Sequence, residues 1–313
     1  MELDSVREVK ATLREDGAVR ATGVGVAALG VAVARPGGYR LAVRVADDAE
    51  AASSWVDDAR RAARGEIDVR TVVMVRALTD VGGDVPWYQG RVRPLRIGAS
   101  IGHPLVTAGT LGAFVRDADG VLALLSNSHV IADEGRAPVG DVVYQPGPAD
   151  GGGQDDRIAT LTRAVPYDTA GVNLVDCAVA ALDDGVEADL NRLGDEGDLA
   201  GVEEDVTAGD RVAKVGRTTG TTRGRVTAFE LDGLDVAFGS GTLRFDDQIE
   251  VVGDTGAFSA GGDSGSMVWT DDGRLGYGLL FAGSQVGGPG GSGVTYCNPL
   301  ARVLTTLEVQ LAT

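Results

Sequence analysis

The sequence predicts a mainly β protein: a small α/β unit over residues 1–90, a linker at 91–106, and two six-stranded β-barrels over 107–313. Three observations carry this. From residue 107 onward, short apolar runs alternate with Gly and Asp-Gly turns, with no long helix between them. The first hundred residues instead mix β-rich runs with helix-spaced apolar positions. The charge divides at the same place: residues 1–100 carry 15 basic and 14 acidic side chains, residues 101–313 carry 13 and 32.

Taken in order, Val6, Val9 and Leu13 give a short amphipathic helix. Residues 19–34 and 39–45 are β-rich and separated by Pro36-Gly37-Gly38, a turn signal. Residues 53–63 read as a helix, with Asp57 and Asp58 early and Arg60, Arg61 and Arg64 late, the order a helix dipole favours. A further strand is expected at 67–75. Gly23, Gly25 and Gly30 lack the spacing of a dinucleotide-binding turn and precede no helix, so they read as part of a strand. Arg91-Val92-Arg93-Pro94-Leu95-Arg96 bridges to the second unit. Eleven apolar runs follow, at 111–115, 121–125, 141–144, 158–165, 172–182, 212–215, 224–231, 242–252, 267–270, 275–282 and 293–297. Asp119-Gly120 marks a hairpin between the first two, which is a better account of Asp117–Gly120 than a calcium loop. Residues 183–210, with eleven acidic side chains and the single Arg192, read as a solvated connection between barrels. The glycine-rich 287–293 reads as a mobile loop, and 301–311 as a docking helix.

Composition excludes several functions. A formal charge of −18 argues against nucleic-acid binding, which needs clustered Lys and Arg. Two histidines leave little for an imidazole metal site, and no metal, nucleotide or haem motif occurs, so no cofactor is expected. The first sixteen residues lack the order of a secretory signal, and the longest apolar run, 23–34, is short of the ~20 residues of a membrane span. Cys177 and Cys297, 120 positions apart, form no disulfide framework, and a cytoplasmic protein is expected.

Three segments carry chemistry. Gly261-Gly262-Asp263-Ser264-Gly265-Ser266 can turn sharply around a hydroxyl and point two amide N–H groups into one small space. A serine hydroxyl needs a base to take its proton, and imidazole suits neutral pH. His129 ends an apolar strand in Ser126-Asn127-Ser128-His129-Val130, whereas His103, before Pro104, reads as structural. Asp176, in Asn173-Leu174-Val175-Asp176-Cys177-Ala178, lies in a β-rich apolar run where a carboxylate needs hydrogen-bond partners, and an imidazole N–H supplies one. The order His129, Asp176, Ser264 is one known for this triad.

These motifs resemble those of trypsin-like serine peptidases of the chymotrypsin fold. Ser-Asn-Ser-His-Val is similar to the histidine motif of Deg/HtrA-type members. Val215-Gly216-Arg217-Thr218-Thr219-Gly220 and Gly224-Arg225-Val226 resemble the start of the second barrel in bacterial enzymes. Arg93-Pro94-Leu95, Ser100-Ile101-Gly102-His103-Pro104 and Gly109-Thr110-Leu111-Gly112 resemble segments of a group of bacterial proteins and of the plant Narrow Leaf proteins. The resemblance implies a double β-barrel, with Ser264 as nucleophile, His129 as general acid/base and Asp176 as orienting carboxylate. It puts the oxyanion hole at the N–H groups of Gly262 and Ser264. It puts the substrate pocket at Phe258, Phe281, Ala282 and Gly283, without a carboxylate to favour cleavage after Arg or Lys. In zymogen-activated relatives a freed amino terminus pairs with the residue corresponding to Asp263. Here some hundred residues precede the barrels, so either other contacts hold that loop or a trigger is needed.

The expected activity is a serine endopeptidase acting on polypeptide, with no nucleic-acid or membrane partner. Any homo-oligomer contact or regulatory partner is expected at the 1–90 unit. The alternatives are a protease-fold scaffold with a closed site, or barrels regulated by a partner-binding amino-terminal module.

Overall fold

The computed structural model describes residues 1–15, 26–35, 37–46, 49–72, 86–207 and 209–312. Residues 19–25 and 73–75 of the expected strands, with Gly23 and Gly25, and Pro36 of the expected turn lie outside the described residues.

The amino-terminal unit runs α1 (Leu3–Glu15), β1 (Val26–Arg35), β2 (Gly38–Ala46), α2 (Ala49–Ala62) and β3 (Ile67–Val72). Its helices form because their apolar residues recur on one face: Val6 and Leu13 of α1 meet Trp55 and Ala59 of α2 against Leu41 and Val43 of β2. β1 and β2 form an antiparallel hairpin, and β3 joins β2 in parallel.

Most of the described residues that follow form two β-barrels. The first is a six-stranded sheet in the order Gln310–Leu311, Ala113–Arg116, Leu122–Ser126, Ala178–Leu182, Arg157–Ala164, Val142–Tyr144. The second passes from Arg211–Gly216 through Met267–Thr270, Leu275–Gly287, Gly293–Pro299 and Gln248–Gly253 to Gly220–Asp232, which pairs back onto Arg211–Gly216 and closes the barrel. The helix Leu300–Leu307 packs its apolar face, Val303, Leu304 and Leu307, into the first barrel's core.

Three departures from the expected pattern have physical causes. The run 242–252 is two strands, Gly241–Phe245 and Gln248–Gly253, broken where Asp247 takes a left-handed φ of 64°. The first pairs with Leu234–Phe238, a strand that the sequence pattern did not single out. The acidic 183–210 connection holds Ala188–Leu193, which buries Leu193, exposes Asp189 and pairs in parallel with Leu95–Ile97. Residues 91–106, expected as a linker, thus include a strand whose Leu95 and Ile97 belong to the first barrel's core.

The strands β1, β2 and β3 extend the second barrel's sheet. β1 pairs with the far half of Gly220–Asp232, Val31 opposite Phe229 and Ala32 opposite Ala228. Across that seam, fully buried Arg44 of β2 donates from Nε and Nη2 to the fully buried Glu250 carboxylate at 2.6 and 2.7 Å. Such a two-point pair offsets the cost of desolvating both charges when its geometry is good. The match holds Glu250 below the usual carboxylate range against the opposing effect of burial. Among the described residues no helix is long and apolar enough to cross a membrane.

Candidate active site

Strand register brings His129 and Asp176 together. Leu122–Ser126 and Ala178–Leu182 are antiparallel with Ser126 opposite Ala178, so the residues just past one strand face those just before the other. Asn127 tightens the junction by donating from Nδ2 to the Asp176 carbonyl at 2.8 Å. The one-turn helix Ser128–Ile131 then presents His129, whose Nδ1–H donates to Asp176 Oδ2. Oδ1 of Asp176 accepts from the His129 backbone N–H at 3.3 Å and from the Tyr167 hydroxyl at 2.8 Å. Three donors thus satisfy a fully buried carboxylate. This arrangement fixes the tautomer and leaves Nε2 as the basic nitrogen. Nε2 is buried and has no hydrogen-bond partner among the described residues. Burial, reinforced by the Asp176 charge, raises the ionisation of Tyr167 and Cys177 well above their ordinary ranges, so the one stays a donor and the other an inert thiol.

Ser264 sits where the loop after residue 260 passes between the barrels. Gly265 has φ 91°, and a Cβ there would lie 2.2 Å from Ser126 Oγ and 2.3 Å from the Thr110 carbonyl. A Cβ on Gly112 would come within 2.3 Å of the Gly265 carbonyl, so both sides of this contact require glycine. The Ser264 carbonyl accepts from Thr110 N–H at 2.8 Å, and its hydroxyl donates to the Phe281 carbonyl at 3.4 Å. The Ser264–His129 hydrogen bond is not among the bonds formed.

Hydroxyl groups set the direction of three successive peptide units in this loop. Thr218 Oγ1 donates to the Gly261 carbonyl, Thr110 Oγ1 to the Gly262 carbonyl at 3.0 Å, and Ser266 Oγ to the Asp263 carbonyl at 2.6 Å. With those carbonyls held, the amides opposite them have fixed directions. The N–H groups of Gly262 and Ser264 take part in none of the hydrogen bonds among the described residues.

Asp263 is held internally. Its Oδ2 lies 3.3 Å from Lys214 Nζ and accepts from Thr219 Oγ1 at 2.7 Å and Ala260 N–H at 3.0 Å. Its Oδ1 accepts from the N–H groups of Thr218 and Thr219 at 2.8 and 3.1 Å. Burial pulls the Lys214 ammonium below its ordinary range, opposed by the Asp263 charge. The loop is therefore held by other contacts and leaves no place for an amino terminus. Behind it, buried Arg217 donates from Nε to Asp150 at 2.7 Å and from its backbone N–H to Thr110 Oγ1 at 3.0 Å, tying the two barrels together.

The pocket residues are dispersed. Phe258 is fully buried among Val212, Val226, Val251 and Tyr277, while Phe281 and Ala282 lie in another cluster with Phe245 and Tyr296. Of these side chains none is exposed, and the backbone of Phe281 is what reaches Ser264. His103 is structural, with Nε2 3.0 Å from Asp141 and Nδ1 accepting from Leu105 N–H. Sequence reasoning missed three neighbours of the site. Tyr167 lies nine residues before Asp176, and Lys214 is one of two lysines, set in an apolar strand. Phe238 ends an unexpected strand, and its ring packs edge-on to His129 at 5.8 Å and against Tyr167 at 5.4 Å. The turn after it is held by Glu134, which accepts from Gly239 and Ser240 N–H at 2.8 and 2.9 Å.

Comparison with known proteins gives the same architecture. The fold is similar to that of a Nocardiopsis protease, 18% identical with a TM-score of 0.51, and to a glutamic acid specific serine protease, 19% identical with a TM-score of 0.51. Each similarity covers 70% of this chain and 100% of the other. Residues 168–289 match the model of the Nal1 C-terminal domain. No curated protein sequence matches the chain. The chain is mainly β, with a β-barrel and the fold of chymotrypsin-like serine proteases.

Proposed function

We propose that this protein is a serine endopeptidase that cleaves peptide bonds through an acyl-enzyme. The observation that carries this reading is the buried His129–Asp176 hydrogen bond, which leaves Nε2 as a base with no competing partner. In the proposed reaction the Ser264 hydroxyl turns from the Phe281 carbonyl toward Nε2. Its oxygen attacks the substrate carbonyl as Nε2 takes the proton. Asp176 stabilises the imidazolium, and the N–H groups of Gly262 and Ser264 receive the oxyanion. The imidazolium then protonates the leaving amine, and water hydrolyses the ester by the same path in reverse. Substrate selectivity is assigned to the Phe281, Ala282 and Gly283 strand beside Ser264, with Phe258 supporting it from the core.

We place the chain with the Narrow Leaf-like group, supported by the match over 168–289 and by the 93–112 motifs. Two free, buried cysteines support a reducing compartment, and we assign the cytoplasm. A second reading, a protease-fold scaffold with a closed site, is favoured by one feature: Phe238 packs on His129, whose Nε2 is inaccessible. A fluorophosphonate probe separates the two. Labelling of wild type and not of Ser264→Ala is expected; a folded wild type that stays unlabelled favours the scaffold.

A further inference from the structure

The amino-terminal helix is connected to the proposed catalytic aspartate by a continuous chain of mostly buried polar groups. In α1, Arg14 donates to Asp232 and to Asp246, each at 2.6 Å, and Lys10 lies 2.9 Å from Asp232. Both carboxylates are nearly buried, at 6% and 9% exposure, and Lys10 and Arg14 contribute charge compensation to them, with Arg244 also acting on Asp246. They also shape the turn between Gly241–Phe245 and Gln248–Gly253. Asp246 Oδ1 accepts from Gly233 N–H at 2.6 Å, and Asp232 Oδ1 accepts from Asp247 N–H at 3.0 Å.

That turn grips the segment bearing Asp176. The Asp246 N–H donates to the Asn173 carbonyl at 3.0 Å, and Gln248 Nε2 donates to the Leu174 carbonyl at 3.0 Å. Gln248 Oε1 accepts from Asn298 Nδ2 at 2.7 Å, and Asn298 Oδ1 accepts from the Asp176 N–H at 2.9 Å. Gln248 and Asn298 are fully buried. Each amide uses both ends of its side chain, so a shift at the turn passes to residues 173–176 without slack.

We infer that α1 is a positioning element for the active site: Lys10 and Arg14, acting through Asp232, Asp246, Gln248 and Asn298, hold Asp176 in register with His129. This rests on the reading of His129, Asp176 and Ser264 as a triad. The amino-terminal unit is then a built-in activator of the barrels. Anything that draws α1 off Asp232 and Asp246 leaves two carboxylates side by side at the turn and lowers activity.

The test uses the full chain, with Lys10→Ala/Arg14→Ala compared with Arg7→Ala, whose ion pair with Glu230 lies at the surface. Two readouts are needed: the rate of fluorophosphonate labelling, and the far-downfield proton NMR signal of an imidazole N–H bonded to a carboxylate. The double variant is expected to label at least tenfold more slowly and to lose or broaden that signal, while Arg7→Ala matches wild type. Lys10→Ala/Arg14→Lys, which keeps one cation, should recover part of both. If the double variant unfolds, Asn298→Asp is used instead; it keeps the acceptor for Asp176 N–H and loses the donor to Gln248, and the same two changes are expected. A folded variant with wild-type labelling rate and an unchanged signal overturns the inference and leaves the triad standing. Absence of labelling in wild type defeats the triad reading instead, and loss of the NMR signal in the variant would still support the positioning role.

Discussion

Lys214 and Asp263 face each other at 3.3 Å, both fully buried, one on the second barrel's first strand and the other just before Ser264. The pair puts the cation that fixes the nucleophile loop inside the barrel, so the loop is shaped once the chain folds. Lys214→Met should leave the Asp263 charge uncompensated and cost about 3–5 kcal/mol, the range for breaking a buried pair. Urea unfolding checks the stability, and fluorophosphonate labelling should fall in parallel. Lys214→Arg should retain more of both, and equal loss in the two variants would count against a charge role.

Thr218 offers a sharper probe of the oxyanion amides, because its hydroxyl donates to the Gly261 carbonyl, opposite the Gly262 N–H. Thr218→Val should free the Gly261–Gly262 peptide and slow acylation by about 10²-fold, the scale of losing one oxyanion donor. Thr218→Ser should restore most of the rate. Stopped-flow acylation with an ester substrate measures both, and an unchanged rate in Thr218→Val would remove the hydroxyl from the account.

Tyr167 donates to the carboxylate oxygen of Asp176 that its imidazole bond leaves free. Hydrogen bonds to charged groups contribute roughly 1.5–3 kcal/mol, so Tyr167→Phe should slow labelling by about tenfold or more. The fold should persist, because the ring still packs on Phe238. Circular dichroism together with labelling kinetics distinguishes this from general destabilisation.

The candidate site was legible in the sequence where it depends on residue type within a short motif. His129, Asp176 and Ser264 each lie in a segment whose neighbours explain the turn or strand that presents them. Their surroundings were less legible, because they are made by pairing across long stretches of chain. Nothing local to Lys214 points to Asp263, forty-nine residues on. Phe238 was hidden because its strand partner, Gly241–Phe245, reads as the start of one long run until the left-handed Asp247 breaks it off to pair with Leu234–Phe238. The hairpin β1–β2 was readable, but its pairing with Gly220–Asp232 spans some two hundred residues and leaves no local trace. The resemblance to serine peptidases pointed to Phe258 as pocket, whereas its side chain belongs to the core cluster around Tyr277.

Alkaline pH should destabilise the fold. Burial raises the ionisation of Tyr167, Tyr277, Tyr296, Cys177 and Cys297 above their ordinary values. Above about pH 8.5 for thiols and about 10 for phenols, the unfolded chain releases protons that the folded chain keeps. Stability from these groups is therefore full below those values and is lost as pH rises toward the folded ones. The urea midpoint should fall steadily between about pH 9 and 11; a flat midpoint would contradict the burial argument.

The most direct measurement is mass spectrometry of an unstructured polypeptide incubated with wild type and with Ser264→Ala. The account predicts new internal cleavage products, with free amino and carboxyl ends, in the wild-type reaction alone. The same products from both proteins, or none from a wild type that a fluorophosphonate labels at Ser264, would contradict it.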